Sequence, residues 1–339
     1  MASSTPSEPA LPATVVASAG SISVIICSKD RRALLEKAVA SVRECDELGA
    51  AVEIVVVEET DEPETISGTR YVQLTREGRG FGHTRNVGVA SAGGDILVFT
   101  DDDCEAHPNW LQNLVRPFAT DATIIGTAGS VHVADCGPIG YAENILGFPG
   151  GGIRYEHDAG GQPVSTTLLS TCNCAYRRSA IEAAGGFPED APFSGEDSLL
   201  AERVQAHGEC VYVPDARVSH LARDSLGKIF HWFTRRGGSE TLMLTEGSRS
   251  GAHAWRIVRS SWAIRMALLF AALYAWPTLW LALPFLALGY YGAILFRYRF
   301  ALSYPDHRRA WLIVPIVKLT MDLGMEVGRF KSWFHHAKR

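Results

Sequence analysis

The sequence predicts an α/β fold built on a mostly parallel sheet, with a membrane-associated helical region behind it. Three observations carry this. From Ser21 onward, apolar β-prone runs alternate with helical stretches, the spacing expected of βαβ units. One such run, Ile96-Leu97-Val98-Phe99-Thr100, ends directly in Asp101-Asp102-Asp103. Near the C-terminus, residues 264–296 are almost wholly apolar, with Arg265 the only charge.

In order, 22–27 reads as a strand, 31–48 as an amphipathic helix, 52–57 as a strand and 71–74 as a short strand. Residues 82–92 form a helix stopped by Gly93-Gly94. Strand 96–100, a helix over 109–118 and strand 123–133 follow. Residues 137–161 dissolve into Gly, Pro and aromatics, which predicts a long, partly ordered loop on the acceptor side. A strand at 171–177, helices at 178–184 and 196–207, and a last short strand at 210–213 complete this part.

As one helix, 264–296 would be about 50 Å long, well beyond a ~30 Å hydrocarbon core. Trp276-Pro277 and Pro284 interrupt it, so a hairpin of two short spanning helices fits better. Arg256, Arg259 and Arg265 precede it, and Arg297, Arg299, Arg308 and Arg309 follow it. The positive-inside rule puts both flanks in the cytoplasm and requires an even number of passes. Residues 311–330 carry Lys318, Asp322, Glu326 and Arg329 at helical spacing, the pattern of an interfacial amphipathic helix. A buried hairpin in a soluble domain is the weaker alternative, since Trp262, Trp276, Trp280, Tyr290 and Tyr291 are distributed as membrane interfaces favour.

The charge balance, 32 Lys+Arg against 37 Asp+Glu for a net −5, leaves no basic footprint for nucleic acid. The 7 cysteines are odd in number and irregularly spaced. Cys172-Asn173-Cys174 lacks the second pair of a structural zinc site, so free thiols in a reducing compartment are expected. Residues 1–20, rich in Ser, Pro and Ala without a basic n-region or apolar core, read as a disordered leader and not a signal peptide. This places the main domain on the cytoplasmic side.

Three adjacent carboxylates at the C-terminal end of a strand are poor core material, because unpaired buried charge is costly. In open α/β sheets ligands bind outside those strand ends. Packed carboxylates there suit a hard cation such as Mg²⁺ or Mn²⁺ bridging to a diphosphate. A solvated turn capping the helix after Pro108-Asn109-Trp110 is the other reading. The triplet alone does not choose between them.

Residues 21–238 resemble the inverting family-2 glycosyltransferases of GT-A fold, through several motifs in the expected order. Ser23-Val24-Ile25-Ile26-Cys27-Ser28 looks like the family's first strand, with Cys27-Ser28 where Pro-Thr is usual. Ser28 would lie at the nucleotide base, or cap the next helix, or do both. Glu58-Glu59 stands where the second strand usually ends in Asp-Asp, and the resemblance gives it a hydrogen bond from base or ribose. Gly80-Phe81-Gly82-His83-Thr84-Arg85-Asn86 resembles the glycine-rich turn into the next helix. Arg85 would pair with the diphosphate or hold the acidic loop as a salt-bridge residue. Asp101-Asp102-Asp103 becomes the D-x-D-type motif, with Asp103 on the metal, Asp101 toward ribose or metal-bound water, and Asp102 on the nucleotide-sugar side. Asn173 would touch the donor sugar or serve as a structural strand-end amide. Gly195-Glu196-Asp197 matches the family's acidic helix start, where Asp197 is the implied general base and Glu196 positions a substrate, unless both simply cap the helix. His220 is an additional implied metal ligand.

The Gln-x-x-Arg-Trp motif of processive relatives is absent from 230–237, which favours transfer of a single sugar. These readings divide the chain into a leader (1–20), a GT-A domain (21–238, with a nucleotide-sugar half over 21–133 and an acceptor half over 134–238) and a membrane region (239–339, with the hairpin at about 262–296). The resemblance implies a multi-pass inner-membrane enzyme. It would take a nucleotide-diphosphate sugar, a lipid-linked or cell-envelope glycan acceptor and Mg²⁺ or Mn²⁺. A sugar-nucleotide nucleotidyltransferase and an inactive membrane scaffold are the rivals.

Overall fold

The computed structural model describes residues 20–45, 52–189, 194–246 and 261–336, with 255, 258 and 259 between the last two. Residues 1–19 of the expected leader lie outside the described residues. The first half contains β1 (Ile22–Lys29), α1 (Arg32–Arg43), β2 (Val52–Glu59), β3 (Arg70–Leu74), α2 (Phe81–Ser91), β4 (Ile96–Asp101), β5 (Cys104–Ala106), α3 (Trp110–Thr120) and β6 (Ile124–His132). Then come α4 (Pro138–Ile145), α5 (Gly152–Asp158), β7 (Val164–Ser165), β8 (Asn173–Arg177), α6 (Arg178–Ala183), α7 (Glu196–Val204) and β9 (Glu209–His220). The C-terminal part holds α8 (Leu226–Glu246), α9 (Trp262–Ala275), a 3₁₀ turn (Pro277–Ala282), α10 (Leu283–Arg297) and α11 (Val314–His336).

One nine-stranded sheet runs β3-β2-β1-β4-β8-β6-β9-β5, with β7 beside β9. Its central strands read as continuous apolar runs because both faces are covered. Val24 and Ile26 of β1 and Ile96 and Val98 of β4 join one core with Leu35 of α1 and Leu114 of α3. Their neighbours Ile25, Leu97 and Phe99 point the other way, into a second core with Ile181 and Leu200. This is the period-two alternation of a strand expressed between two helical layers.

The mostly parallel expectation holds across β3-β2-β1-β4 and again between β6 and β9. The sheet as a whole is mixed, because β8 lies antiparallel to both β4 and β6 and β5 and β7 lie antiparallel to β9. The loop expected over 137–161 instead holds α4 and α5; Pro138 at a helix start, where its missing N–H is no loss, and Ala142, Ile145 and Ile153 in a core explain the order. The last strand is not short: β9 runs 12 residues to His220. Its register shift against β6 between Gly129 and Ser130 carries it past Pro214.

A third core joins α4 and α5 to α8 and to Tyr298, Ala301, Ala310, Val314, Val317 and Met321. Helix α11 is therefore not only an interfacial helix, as its spacing suggested, for one face packs on α8. A Cβ on Gly328 would strike the Thr234 carbonyl oxygen, and one on Gly237 the Met325 carbonyl oxygen. Only glycine permits this backbone approach. The apolar stretch does break at Trp276, but two spans are not confirmed. By length and composition one helix, Pro277–Arg297, is long and apolar enough to cross a membrane among the described residues. Helix α9, with 14 residues, reaches about 21 Å, short of the ~30 Å core.

The segment between α10 and α11 is tied to α4 and α5. The Phe300 ring stacks on His157 at 4.3 Å. His307, 4% exposed, has Nε2 3.0 Å from Asn144 Oδ1. Because the Asn144 amide nitrogen donates to Val131 O, Oδ1 is the acceptor and His307 carries its proton on Nε2. Burial, with His132 nearby, depresses the His307 pKa to about 4, against about 6.5 in an unfolded chain. Between those values the unfolded chain binds a proton that the folded chain does not. This contribution to stability is complete above about pH 6.5 and lost as the pH falls toward 4. Denaturant titrations should show the wild type losing about 2–4 kcal/mol over that window. His307→Gln should flatten the loss; equal slopes for the two proteins would remove His307 as its cause.

Candidate active site at the carboxyl edge of the sheet

Parallel β1, β2 and β4 end together, so Ser28, Glu58-Glu59 and Asp101 arrive at one edge of the sheet. The three aspartates there have three different surroundings. Asp101 is the last residue of β4 and faces Arg85, whose Nη2 donates to Oδ1 at 3.4 Å. Asp102 is 1% exposed. It accepts from Ser28 Oγ at 2.7 Å and from Arg31, whose Nε lies at 3.0 Å and whose Nη2 bonds the other oxygen. Asp103 is less deeply buried than Asp102, its Oδ2 accepting from Arg31 Nη1 at 2.8 Å.

The expectation that the triplet as a whole avoids the core is thus corrected: Asp102 is buried, and it is tolerated because it is paired and hydrogen-bonded. Burial still pushes its carboxyl up to about 6, against the lowering effects of the Ser28 hydrogen bond and the Arg31 charge. Buried in this way, Asp102 is not placed to touch a nucleotide, and the Ser28 hydroxyl proton is already committed to it. Sequence reading missed Arg31. The available signal was its position, a basic residue directly after β1 at the edge that the acidic strand also reaches.

Arg85 is 7% exposed and lies between two acidic elements. Its Nη1 bonds Glu196 Oε1 while Nη2 faces Asp101. Burial pushes the Glu196 carboxyl up, and the Arg85 charge opposes this. Glu196 Oε2 is buried with no hydrogen-bond partner among the described residues. Gly195, at φ 102, makes the turn into α7, a backbone conformation that glycine adopts without strain. The next residue, Asp197, is half-buried. Its Oδ1 accepts from the Ser198 backbone N–H at 2.7 Å, and the helix start favours its negative charge. Arg85 is therefore the salt-bridge residue that joins the two acidic motifs.

His220 reaches the acidic corner through β5, a strand the sequence did not announce. Cys104 of β5 pairs with His220 of β9, bringing His220 Nε2 within 3.4 Å of Asp103 Oδ1. His220 Nδ1 lies 2.8 Å from the Leu221 carbonyl oxygen. A carbonyl can only accept, so the neutral ring carries its proton on Nδ1 and turns a lone pair on Nε2 toward Asp103. A carboxylate oxygen and an imidazole nitrogen so arranged suit a divalent cation, with the second ring nitrogen fixed by the backbone as metal-binding histidines require. Cys104 joins them, the three ligand atoms lying within 4.8 Å of one another. Burial holds its thiol well above the usual range, so it stays protonated and is a poor ligand for a hard ion.

Beside this corner a cleft of about 270 Å³ is lined by Glu59, Leu74, Thr75, Arg79, Gly80 and His83, among others. Glu59 faces it, its Oε1 held by Lys29 Nζ at 2.6 Å. Glu58 is 3% exposed and accepts from Tyr71 OH at 2.6 Å. Of that pair only Glu59 is open to a ligand. For Asn173 the contacts favour the second of its two readings, a structural amide. Its Oδ1 accepts from Trp110 Nε1, and its Nδ2 donates to the carbonyls of Ser130 and Ala216, each at 2.8 Å. The amide is spent on joining β8, β6 and β9 inside the core and has nothing left for a sugar.

Residues 23–185 match the family model for glycosyl transferase family 2. Over 143 residues the chain is 31% identical to the O-antigen chain rhamnosyltransferase WbaN of Salmonella anatum, covering 41% of this chain and 45% of that one. Over 157 residues it is 26% identical to the glucosyl-dolichyl phosphate glucuronosyltransferase of Haloferax volcanii, covering 42% and 48%. The chain thus spans about half the length of the curated relatives it matches. The solved mannosyltransferase PcManGT from Pyrobaculum calidifontis, in complex with GDP-Man and Mn²⁺, superposes with a TM-score of 0.55 at 20% identity, covering 88% of this chain and 86% of that one. The mixed sheet, the acidic strand end and the matching family model lead to one conclusion: residues 23–185 form a glycosyl transferase family 2 domain, within a GT-A-like fold.

Proposed function

We propose that the chain transfers a single sugar, with inversion, from a nucleoside-diphosphate sugar to a hydroxyl of a lipid-linked or cell-envelope glycan. The reaction would be assisted by Mg²⁺ or Mn²⁺ at the cytoplasmic face of the inner membrane. The observation that supports this most is a convergence at one sheet edge. The Asp103–His220 pair and the Glu196-Asp197 helix start are joined there through Arg85 and Asp101. The rhamnosyltransferase and glucuronosyltransferase relatives support sugar transfer, and the fold neighbour solved with GDP-Man and Mn²⁺ agrees with such a donor.

In this reading the cleft beside Glu59 takes the nucleoside, and Asp103 and His220 hold the ion. A divalent ion there supplies charge to offset that building on the departing diphosphate. Asp197 accepts the acceptor hydroxyl proton as its oxygen bonds to the anomeric carbon and the bond to the diphosphate oxygen breaks. Attack from the face opposite the leaving group inverts the centre. Arg85 opposes the effect of burial on Glu196 and Asp101 and holds both in place, and Arg31 fixes the orientation of Asp103.

Incubating the purified chain with a panel of nucleotide sugars, with Mn²⁺ or with chelator, tests the reading directly. Turnover is expected only with metal; metal-independent turnover would remove Asp103 and His220 from their role. Asp197→Asn should lower the rate by about 10²–10⁴ while nucleoside-diphosphate affinity is retained. A wild-type chain that binds no nucleoside diphosphate would favour the scaffold reading.

Arg31→Gln leaves Asp102 buried without its charged partner. It should destabilise the domain by about 3 kcal/mol and weaken Mn²⁺ binding by about 10–100-fold. In a double-mutant cycle, Asp102→Asn added to Arg31→Gln should recover most of the stability. No recovery would show that the pair is not the source of the loss.

A further inference from the structure

We infer that 262–290 is a re-entrant hairpin that enters one leaflet of a bilayer and returns, and does not cross it. This deepens the membrane part of the proposed function and rests on it. Both ends of the stretch are pinned at one polar level. At the start, the Trp262 indole donates to Asp322 Oδ2 at 2.8 Å, and the Trp262 backbone N–H and Ser261 Oγ donate to Glu326 at 2.9 and 3.1 Å. Asp322 also pairs with Lys318, and Glu326 with Arg329, which reaches Glu240 of α8. At the other end, the Tyr290 ring meets the Trp262 ring edge-on at 5.5 Å. Beyond it Tyr291 OH bonds Leu312 O, and Trp311 Nε1 donates to Leu295 O at 2.8 Å.

Trp276, where α9 breaks, lies midway between Trp262 and Tyr290 in the chain. Helix α9 reaches about 21 Å from Trp262. The return through the 3₁₀ turn and the first half of α10 spans about 24 Å. With both ends held together, no residue of the stretch gets farther than that from the charged level, whereas the hydrocarbon core is ~30 Å thick. Length and composition alone qualify Pro277–Arg297 as a span, but its last third is bonded to Trp311 and Leu312, just ahead of α11, and is not free to emerge on the far side.

The hairpin is built for lipid and not for the plane of the interface. No charged residue occurs from 266 to 296, and Leu268, Phe270, Tyr274, Leu281, Phe285 and Leu288 are exposed around both arms. A helix lying in the interface keeps a polar face, and these arms have none. At the tip the backbone stays paired, Trp276 N–H donating to Ala272 O at 2.8 Å and Leu279 N–H to Trp276 O at 2.9 Å. Pro277 has no N–H to satisfy, so the turn is compatible with hydrocarbon. Around the base, Arg259, Arg265, Arg297, Arg299, Arg308 and Arg309 are exposed, a basic ring matched to anionic lipid headgroups.

Depth measurements separate the possibilities. Nitroxide labels would be placed singly by Ala267→Cys, Ala271→Cys, Thr278→Cys, Ala282→Cys, Ala287→Cys and Ala293→Cys. The full chain would carry Cys27→Ser, Cys45→Ser and Cys136→Ser and be bound to vesicles of phosphatidylcholine and phosphatidylglycerol. The ratio of oxygen to nickel-complex accessibility should peak at 278, fall on both sides and approach the water value at 293. A peak at 287 with 278 at an interface would mean a span, overturning the re-entrant hairpin while keeping the membrane. Water-like values at all six positions would overturn membrane insertion itself.

Discussion

Carboxylates gathered at the end of a hydrophobic strand lose hydration and repel one another, and the rest of this site depends on how that charge is shared out. Two arginines do it. Arg31 forks onto Asp102 and also holds Asp103, while Arg85, itself buried, divides its guanidinium between Asp101 and Glu196. Each arginine presents several donors in a rigid plane, which a lysine would not. Asp103 keeps its other oxygen toward His220, so the same pairing that allows the corner to fold also leaves an acid in place at the proposed metal pair.

A second dependence links this corner to the C-terminal helices. Helices α4 and α5 lie between the sheet and the third core, and they hold the segment between α10 and α11 through Asn144–His307 and His157–Phe300. Helix α8 continues from the His220 end of β9 and packs on α11 at glycine contacts. Packed elements therefore link the apolar hairpin to the carboxyl edge of the sheet.

Much of the site was legible because its residues lie in local patterns. An apolar run ending in Asp101-Asp102-Asp103, and a Gly-Glu-Asp helix start, can be read from neighbours alone. Asn173 stayed open between two readings for the same reason: a polar residue at a strand end looks available until its Trp110, Ser130 and Ala216 partners are known, and these come from three separate elements. Arg31 was invisible in its role because its partners stand about 70 positions away in the chain. The helices in 137–161 were hidden by their glycines, since the apolar residues that order them are matched only by the distant C-terminal core.

By itself the sequence determined the alternating αβ plan, the acidic strand end, the family and the apolar C-terminal stretch, because periodicity and local composition decide these. The tertiary structure decided what depends on pairing between remote segments. It made the sheet mixed, set β5 beside β9 so that His220 meets Asp103, and buried Asp102 more deeply than Asp103. It also pinned both ends of the apolar stretch to one charged level. Each of these is a matter of which groups neutralise or desolvate which others, and charge and burial are properties of neighbours in space.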